Sequence, residues 1–312
     1  MTPPHHTVSR RAFLGAVALL PLAGCAGETA PPRSSPAPTG TSAPPTTAPS
    51  PVPHDHLIGL ERRFDARLGV YALATGTGAT VEHRADERFA FCSTFKGLAA
   101  AAVLHRNPLS HLDTVVRYTE DDLMASSAVT RQHVATGMTL REVCDAAVRH
   151  SDGTAGNLLL RDLGGPAGLT AYARALGDTV TRSDRFEPNL TTAVPDDPRD
   201  TTSPRAIGED YRRIVLDDAL DADKRAFLRD LLERNATAAA PLRVRAGVPQ
   251  GWTVADKTGT GGYGTVNDIA VVWPPNAAPL VVSIMSSKTT ADARYDQALL
   301  AEAAAYVVDV LT

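Results

Sequence analysis

The sequence predicts an α+β fold: one antiparallel sheet built from both ends of the folded region, flanked by helices, with an all-helical subdomain inserted between the halves. Three observations predict it. Strand-like apolar runs occur at 68–83 and return at 252–285. Between them, apolar residues recur at helical spacing. The chain then closes on an apolar helical stretch, Asp292 to Leu311.

The first residues are read as targeting rather than fold. Ser9-Arg10-Arg11-Ala12-Phe13-Leu14 is a twin-arginine pair ahead of an apolar run, Gly15 to Leu22. That pattern is an export signal. The run ends Leu22-Ala23-Gly24-Cys25, which resembles a bacterial lipobox and implies cleavage before Cys25 and lipidation of its thiol. Residues 26–53 are Pro, Thr, Ser, Ala and Gly with almost no large apolar side chain. Such a segment buries too little surface to offset its ordering entropy, so an extended, disordered tether is expected. The implied protein is exported, either membrane-anchored through one lipid signal or secreted/periplasmic.

The folded domain is expected over 54–312, with an α/β part near 54–90 and 236–312 and a helical part near 91–235. Ile58 to Arg67 reads as a short amphipathic helix. Leu68 to Ala74 reads as a strand, Gly76-Thr77-Gly78 as a turn, and Ala79 to His83 as the returning strand. A helix opens at Ser93 with a long alanine-rich body. Thr139-Leu140-Arg141-Glu142 is a capping box ahead of a further helix, and Ala155–Leu163 and Gly168–Ala175 follow. Residues 181–204 carry four prolines, many charges and no periodicity. A loop that long inside a compact domain usually has a function. Strands are then expected at Trp252–Asp256, Ile269–Trp273 and Leu280–Met285.

Composition excludes several classes. The net charge of −4 is spread along the chain and offers no basic face for nucleic acid. The three cysteines, Cys25, Cys92 and Cys144, form neither a disulfide framework nor a zinc spacing. His54-Asp55-His56 lacks a further ligand at a useful distance, so no metal or cofactor is expected.

Three short motifs carry chemistry. Ser93 and Lys96 share a helix face, about 300° of rotation apart and one turn from each other. A serine hydroxyl is a poor nucleophile until a base removes its proton, and a desolvated lysine can be that base. Alone, the pair reads better as a helix cap and a surface lysine. Ser151-Asp152-Gly153 follows a helix ending near His150, and Lys257-Thr258-Gly259 follows the strand ending at Asp256.

In order and separation these motifs resemble the class A serine β-lactamases, over about residues 56–312. The resemblance extends to Glu187 within Arg185-Phe186-Glu187-Pro188-Asn189-Leu190, which is similar to that family's Ω-loop, and to Asp200, Asp256 and Thr260-Gly261. It implies a serine β-lactamase or penicillin-binding-protein-like fold and a monomer acting on small-molecule β-lactams. Ser93 would attack the lactam carbonyl, with the backbone N–H groups of Ser93 and Thr260 receiving the oxyanion. Lys96 and Glu187 are the disputed acylation bases, and Glu187 would activate the deacylating water. Ser151 would pass a proton to the leaving nitrogen beside Lys257. Lys257, Thr258, Gly259 and Thr260 would bind the substrate carboxylate, and Arg243 either adds a cation or is a surface arginine. Arg185 and Asp200 would pair across the neck of the loop.

Three departures from the family pattern stand out. Gly153 ends a motif that usually ends in asparagine. Thr191 stands where most members carry an asparagine that helps hold the deacylating water. Ser126 replaces a larger wall residue. Two other readings remain open: a D,D-peptidase that acylates without fast release, and a lipoprotein that sequesters lactams.

Overall fold

The computed structural model describes residues 54–312. The twin-arginine signal, Cys25 and the tether lie outside the described residues.

In chain order the elements are α1 (Asp55–Phe64), β1 (Arg67–Ala74), β2 (Thr80–His83), β3 (Phe89–Ala90), α2 (Phe95–Arg106), β4 (Val115–Val116) and β5 (Met138–Thr139). Then come α3 (Leu140–Arg149), α4 (Gly153–Asp162), α5 (Pro166–Ala175), β6 (Thr201–Thr202), α6 (Pro204–Val215), α7 (Ala222–Glu233) and α8 (Val244–Gly247). The chain finishes with β7 (Thr253–Thr260), β8 (Val266–Trp273), β9 (Leu280–Ser287) and α9 (Gln297–Leu311).

The main sheet has the order β2-β1-β9-β8-β7, all antiparallel, so strands from both ends of the described region meet in its centre. Side-chain alternation along a strand gives it two apolar faces. Val70, Ala72, Ala270, Val272, Val282 and Ile284 face α1 and α9 and share a core with Leu57, Leu60, Leu300 and Val307. Ala255, Ile269, Val271 and Met285 join the second core, built on Leu98, Val103, Val143, Leu159, Tyr211 and Leu231 of the helices. β8 and β9 are therefore buried on both sides, and β7 is left as an edge strand whose free side meets the start of α2.

The structure corrects four local expectations. α1 begins at Asp55 rather than Ile58, because the His54 carbonyl accepts hydrogen bonds from the Leu57 and Ile58 N–H groups. The segment between α2 and α3 is mostly 3-10 turns and the small β4–β5 pair rather than helix. Pro108 and the left-handed Gly137 (φ 71°) break periodicity there. Lys257-Thr258-Gly259 lies inside β7 instead of after it, since the ladder with β8 runs on to the Thr260–Val266 pair. The last helix starts at Gln297, not Asp292, because the Asp296 side chain accepts the Ala298 N–H as an N-cap.

The His54-Asp55-His56 stretch is used for packing. His54 Nδ1 lies 2.7 Å from the Tyr306 hydroxyl, and the His56 ring stacks on Tyr306 at 4.6 Å between centroids. No cluster of metal-ligating side chains forms among the described residues.

Candidate active site

Ser93 lies in a single 3-10 turn, Cys92–Thr94, that runs directly into α2. The turn is held from both sides. Thr94 Oγ1 donates to the Phe91 carbonyl at 2.7 Å, and the Tyr211 hydroxyl donates to the Thr94 carbonyl at 2.7 Å. On the sheet side, Gly259 of β7 packs so closely that a Cβ there would lie 3.0 Å from the Phe91 carbonyl oxygen and 3.2 Å from the Thr94 nitrogen. Only a glycine lets the strand edge approach the serine turn this closely.

Lys96 projects from the first turn of α2 and is fully buried. Its Nζ donates to Ser93 Oγ at 3.0 Å and to the Ser151 carbonyl at 2.9 Å. Its third neighbour is Glu187 Oε1 at 2.8 Å. That contact is an ion pair without hydrogen-bond alignment, and Glu187 Oε1 has no aligned donor among the described residues. A lysine ammonium has three hydrogens and no acceptor, so Lys96 ties the nucleophile, the second motif and the loop carboxylate to one point.

Ser151 has a left-handed backbone (φ 55°), unusual for a non-glycine residue, just before α4. The conformation is stabilised by the buried Asp152. Its carboxylate accepts from the N–H groups of Val129, Thr130 and Ala155 at 2.9–3.0 Å and from the Thr130 hydroxyl. Ser151 Oγ thereby meets Lys257, whose Nζ donates to it at 3.0 Å. Lys257 is fully buried. That burial, helped by the nearby Lys96 charge, pushes its ammonium down to about 7.

Glu187 is brought in by its loop and is only 8 % exposed. Its peptide is clamped by Asn157 of α4: Asn157 Nδ2 donates to the Glu187 carbonyl at 3.0 Å and Oδ1 accepts from the Glu187 N–H at 2.9 Å. The loop neck closes as expected. Arg185 Nε donates to Asp200 Oδ2 at 2.5 Å, and Asp200 Oδ1 accepts from the N–H groups of Asp184 and Arg185. Sequence reasoning missed Asn157. Its only signal is an amide side chain on a helix whose other buried positions are small or apolar apart from Thr154.

Ser93, Lys96, Ser151, Glu187 and Lys257 thus converge on one polar cluster from four separate segments. The family model described as the β-lactamase enzyme family matches residues 55–311.

The chain belongs to the β-lactamase enzyme family.

A β-lactamase of Amycolatopsis lactamdurans is 56 % identical over 261 residues, covering 84 % of this chain and 86 % of that one. A β-lactamase of Mycobacterium tuberculosis is 53 % identical over 311 residues, covering 97 % of both. The solved class A β-lactamase of Clostridium kluyveri superposes with a TM-score of 0.80 at 42 % identity, covering 82 % of this chain and 97 % of that one. The fold is that of the class A β-lactamases.

The departures from the β-lactamase family pattern have structural counterparts. At Gly153 an added Cβ would lie 2.4 Å from Ser126 Oγ and 2.8 Å from Glu187 Oε2. The space that a side chain would enter is already taken by the serine hydroxyl and the loop carboxylate. Ser126 itself is exposed, so the wall on this side is low. Thr191 Oγ1 donates to the Pro188 carbonyl at 2.9 Å, which turns its hydrogen onto its own backbone turn.

Arg243 is not a surface arginine: it is 1 % exposed. Its guanidinium donates to the Gly259 and Asn267 carbonyls at 2.8 Å each, to Thr260 Oγ1 at 2.7 Å and to Gln297 Oε1 at 3.1 Å. Burial lowers its pKa, against the opposing pull of Asp268. Its guanidinium is therefore held behind Thr260 by neutral acceptors. Thr258 Oγ1 lies 3.3 Å from the hydroxyl of Thr237, another residue sequence reasoning did not single out. Beneath the strand, Asp256 is held by Arg245 at 2.6 Å and by Asn235 at 2.6 Å. Burial and the Asp256 charge raise the neighbouring Asp268 well above the usual carboxylate range.

Cys92 and Cys144 are free and buried. Burial pushes both thiols up to about 12, so Cys92, although next to Ser93, stays protonated and unreactive.

Proposed function

We propose that this chain hydrolyses the β-lactam amide bond of penicillins and cephalosporins through an acyl ester on Ser93, and so confers β-lactam resistance. The observation that carries the reading is the buried Glu187 carboxylate beside the lysine that holds the Ser93 hydroxyl. In the acylation half, Ser93 Oγ loses its proton toward Lys96 or Glu187 and bonds to the lactam carbonyl carbon. Two backbone donors, the N–H groups of Ser93 and Thr260, receive the oxyanion; such donors are typically worth about 3–4 kcal/mol each. The C–N bond then breaks and Ser151 protonates the nitrogen, while the proton taken from Ser93 is relayed through the lysine cluster to Ser151, so that Lys96, Glu187 and Lys257 end this half-reaction in the protonation states in which they began it. In the second half, Glu187 takes a proton from water, the water oxygen attacks the ester, and Ser93 leaves with a proton.

The substrate carboxylate is received by Lys257, Thr258 and Thr260, backed by the Arg243 charge. No metal or other cofactor enters this scheme. A second reading, acylation with slow release, is favoured by one observation: the Thr191 hydroxyl is committed to the Pro188 carbonyl rather than presented to a water.

Location belongs to the same proposal. The twin-arginine signal and the sequence ending in Cys25 support export, with lipidation of Cys25 and the 26–53 tether carrying a monomeric domain off the membrane. A Cys25→Ala variant is then expected in the soluble fraction while the parent stays with the membrane.

Turnover is the deciding measurement. Mixed with about a hundredfold excess of a chromogenic cephalosporin, the protein is expected to consume all of it, and Ser93→Ala to consume none. A burst near one equivalent that stalls would replace hydrolysis with the trap or peptidase reading.

A further inference from the structure

Asp210 of α6 is fully buried, and neither of its carboxylate oxygens receives a hydrogen bond among the described residues. The nearby guanidinium groups are turned onto backbone instead: Arg213 donates to the Leu176 carbonyl, and Arg174 of α5 to the Asp178 carbonyl at 2.5 Å. A buried carboxylate left without partners is costly. The group that Asp210 does meet at hydrogen-bond range is another carboxyl, that of Asp178. Two carboxyls in contact can share one proton, the acid form donating to its neighbour.

Asp178 shapes the entry to the loop that carries Glu187. Its Oδ1 accepts from the N–H groups of Val180 at 2.6 Å and Thr181 at 3.0 Å. The Thr181 and Thr202 hydroxyls then lie 2.6 Å apart, and the Arg182 N–H donates to the Thr201 carbonyl at 3.0 Å. These contacts join the segments entering and leaving the loop. Asp178 precedes the loop and Asp210 follows it. Their contact therefore closes the loop at its base, in addition to the Arg185–Asp200 pair at its neck.

We propose that Asp210 is a positioning residue for the second half-reaction: as a protonated acid it donates to Asp178, fixes the base of the loop, and so keeps Glu187 in place. The inference rests on the functional reading above for the role of Glu187. Burial first, and then the Asp178 charge, raises Asp210 well above the usual carboxylate range. Arg213 of α6 and Arg174 of α5 pull the other way, with less effect. The remaining titratable neighbours are the hydroxyls of Tyr172 on α5 and Tyr211 on α6, which burial keeps protonated. A proton held by the folded chain and released by the unfolded one stabilises the fold fully below the ordinary carboxylate value. That contribution declines as pH rises toward the folded value.

Asp210→Asn keeps a donor toward Asp178 and cannot titrate, so it is the first variant to compare. Between about pH 5 and 6 the parent is expected to lose about 3–5 °C of Tm relative to Asp210→Asn, the effect of one proton on a domain of this size. Tm curves that run parallel would mean that Asp210 is ionised in the folded chain, and would overturn the proposal. Asp210→Ala removes the donor. Single-turnover kinetics with a chromogenic cephalosporin should then show deacylation slowed about 10–100-fold, acylation changed less than about twofold, and Asp210→Asn close to the parent in both. An Asp210→Ala loss that is equal for the two steps, or absent from both, would mean that the pair does not act on Glu187, and the proposal falls. A parent that itself stalls after one equivalent would instead remove the functional reading, and the Tm comparison would still decide whether the pair shares a proton.

Discussion

Lys96 Nζ stands 2.8 Å from Glu187 Oε1 while donating to Ser93 Oγ at 3.0 Å. One buried ammonium therefore links the group that attacks to the carboxylate assigned to release. In the proposed scheme the two half-reactions share a proton pool, but only the second depends wholly on Glu187.

Glu187→Gln is accordingly expected to separate the halves. The amide keeps the shape and removes the base. Rapid mixing with a chromogenic cephalosporin should show a burst near one equivalent followed by a steady rate about 10²–10⁴-fold below the parent, the usual range for losing a positioned base. A proportional fall in burst and steady rate would place Glu187 in acylation as well.

Lys257 gives the pH dependence. Its ammonium is held down to about 7, first by burial and then by the Lys96 charge. In the free protein it loses its proton as pH rises through that value, and with it the attraction for an anionic substrate. kcat/KM is expected to fall on the alkaline side of about 7, tending toward tenfold per pH unit. The stability effect has the opposite direction. Between about 7 and its unfolded value the unfolded chain binds the extra proton, so this group's contribution to stability increases with pH over that window. Lys257→Met should remove the alkaline limb, measured as kcat/KM across pH.

Gly153→Ala tests the crowding between Ser126 and Glu187. The new Cβ would meet Ser126 Oγ at 2.4 Å and Glu187 Oε2 at 2.8 Å. Both are side-chain ends that can rotate away, so folding should be little affected. The carboxylate, however, loses its place. Deacylation is expected to slow about 10–100-fold with acylation changed less than threefold, read by single-turnover kinetics. Adding Ser126→Gly should recover part of the loss.

Gly259→Ala tests the contact between β7 and the nucleophile turn. Here the clash is with backbone, the Phe91 carbonyl at 3.0 Å and the Thr94 nitrogen at 3.2 Å, which cannot rotate away. A cost of about 1–3 kcal/mol in stability is expected. Calorimetry should show a lower Tm, and kcat/KM should fall with it, since the N–H groups of Ser93 and Thr260, proposed as the oxyanion donors, flank this contact.

Legibility differed by element. The sheet strands could be read because a strand buried on one or both faces needs runs of Val, Ile, Leu and Ala bounded by turn residues. β8 and β9 show this directly. α3 could be read because Thr139 and Glu142 satisfy each other's backbone donors locally. The 107–138 stretch could not, since its short turns and two-residue strands are fixed by contacts with other segments rather than by period. The extent of β7 was missed for a similar reason: Lys257 and Gly259 have weak strand preference and are extended because β8 pairs with them.

By itself the sequence determined the α+β class and the antiparallel sheet built from both ends of the folded region, and it nominated Ser93, Lys96, Ser151, Glu187 and Lys257 as the chemical set. The nomination came from the order and separation of three motifs and their resemblance to a known family, since each motif alone reads as an ordinary cap or surface residue. Only the tertiary structure decided how they meet. Asn157 clamping Glu187, Arg243 buried behind Thr260, and Ser126 occupying the space beside Gly153 are relations between residues distant in the chain. Hydrogen bonds and close packing at such separations exist only once the intervening chain has folded, and no local pattern encodes them.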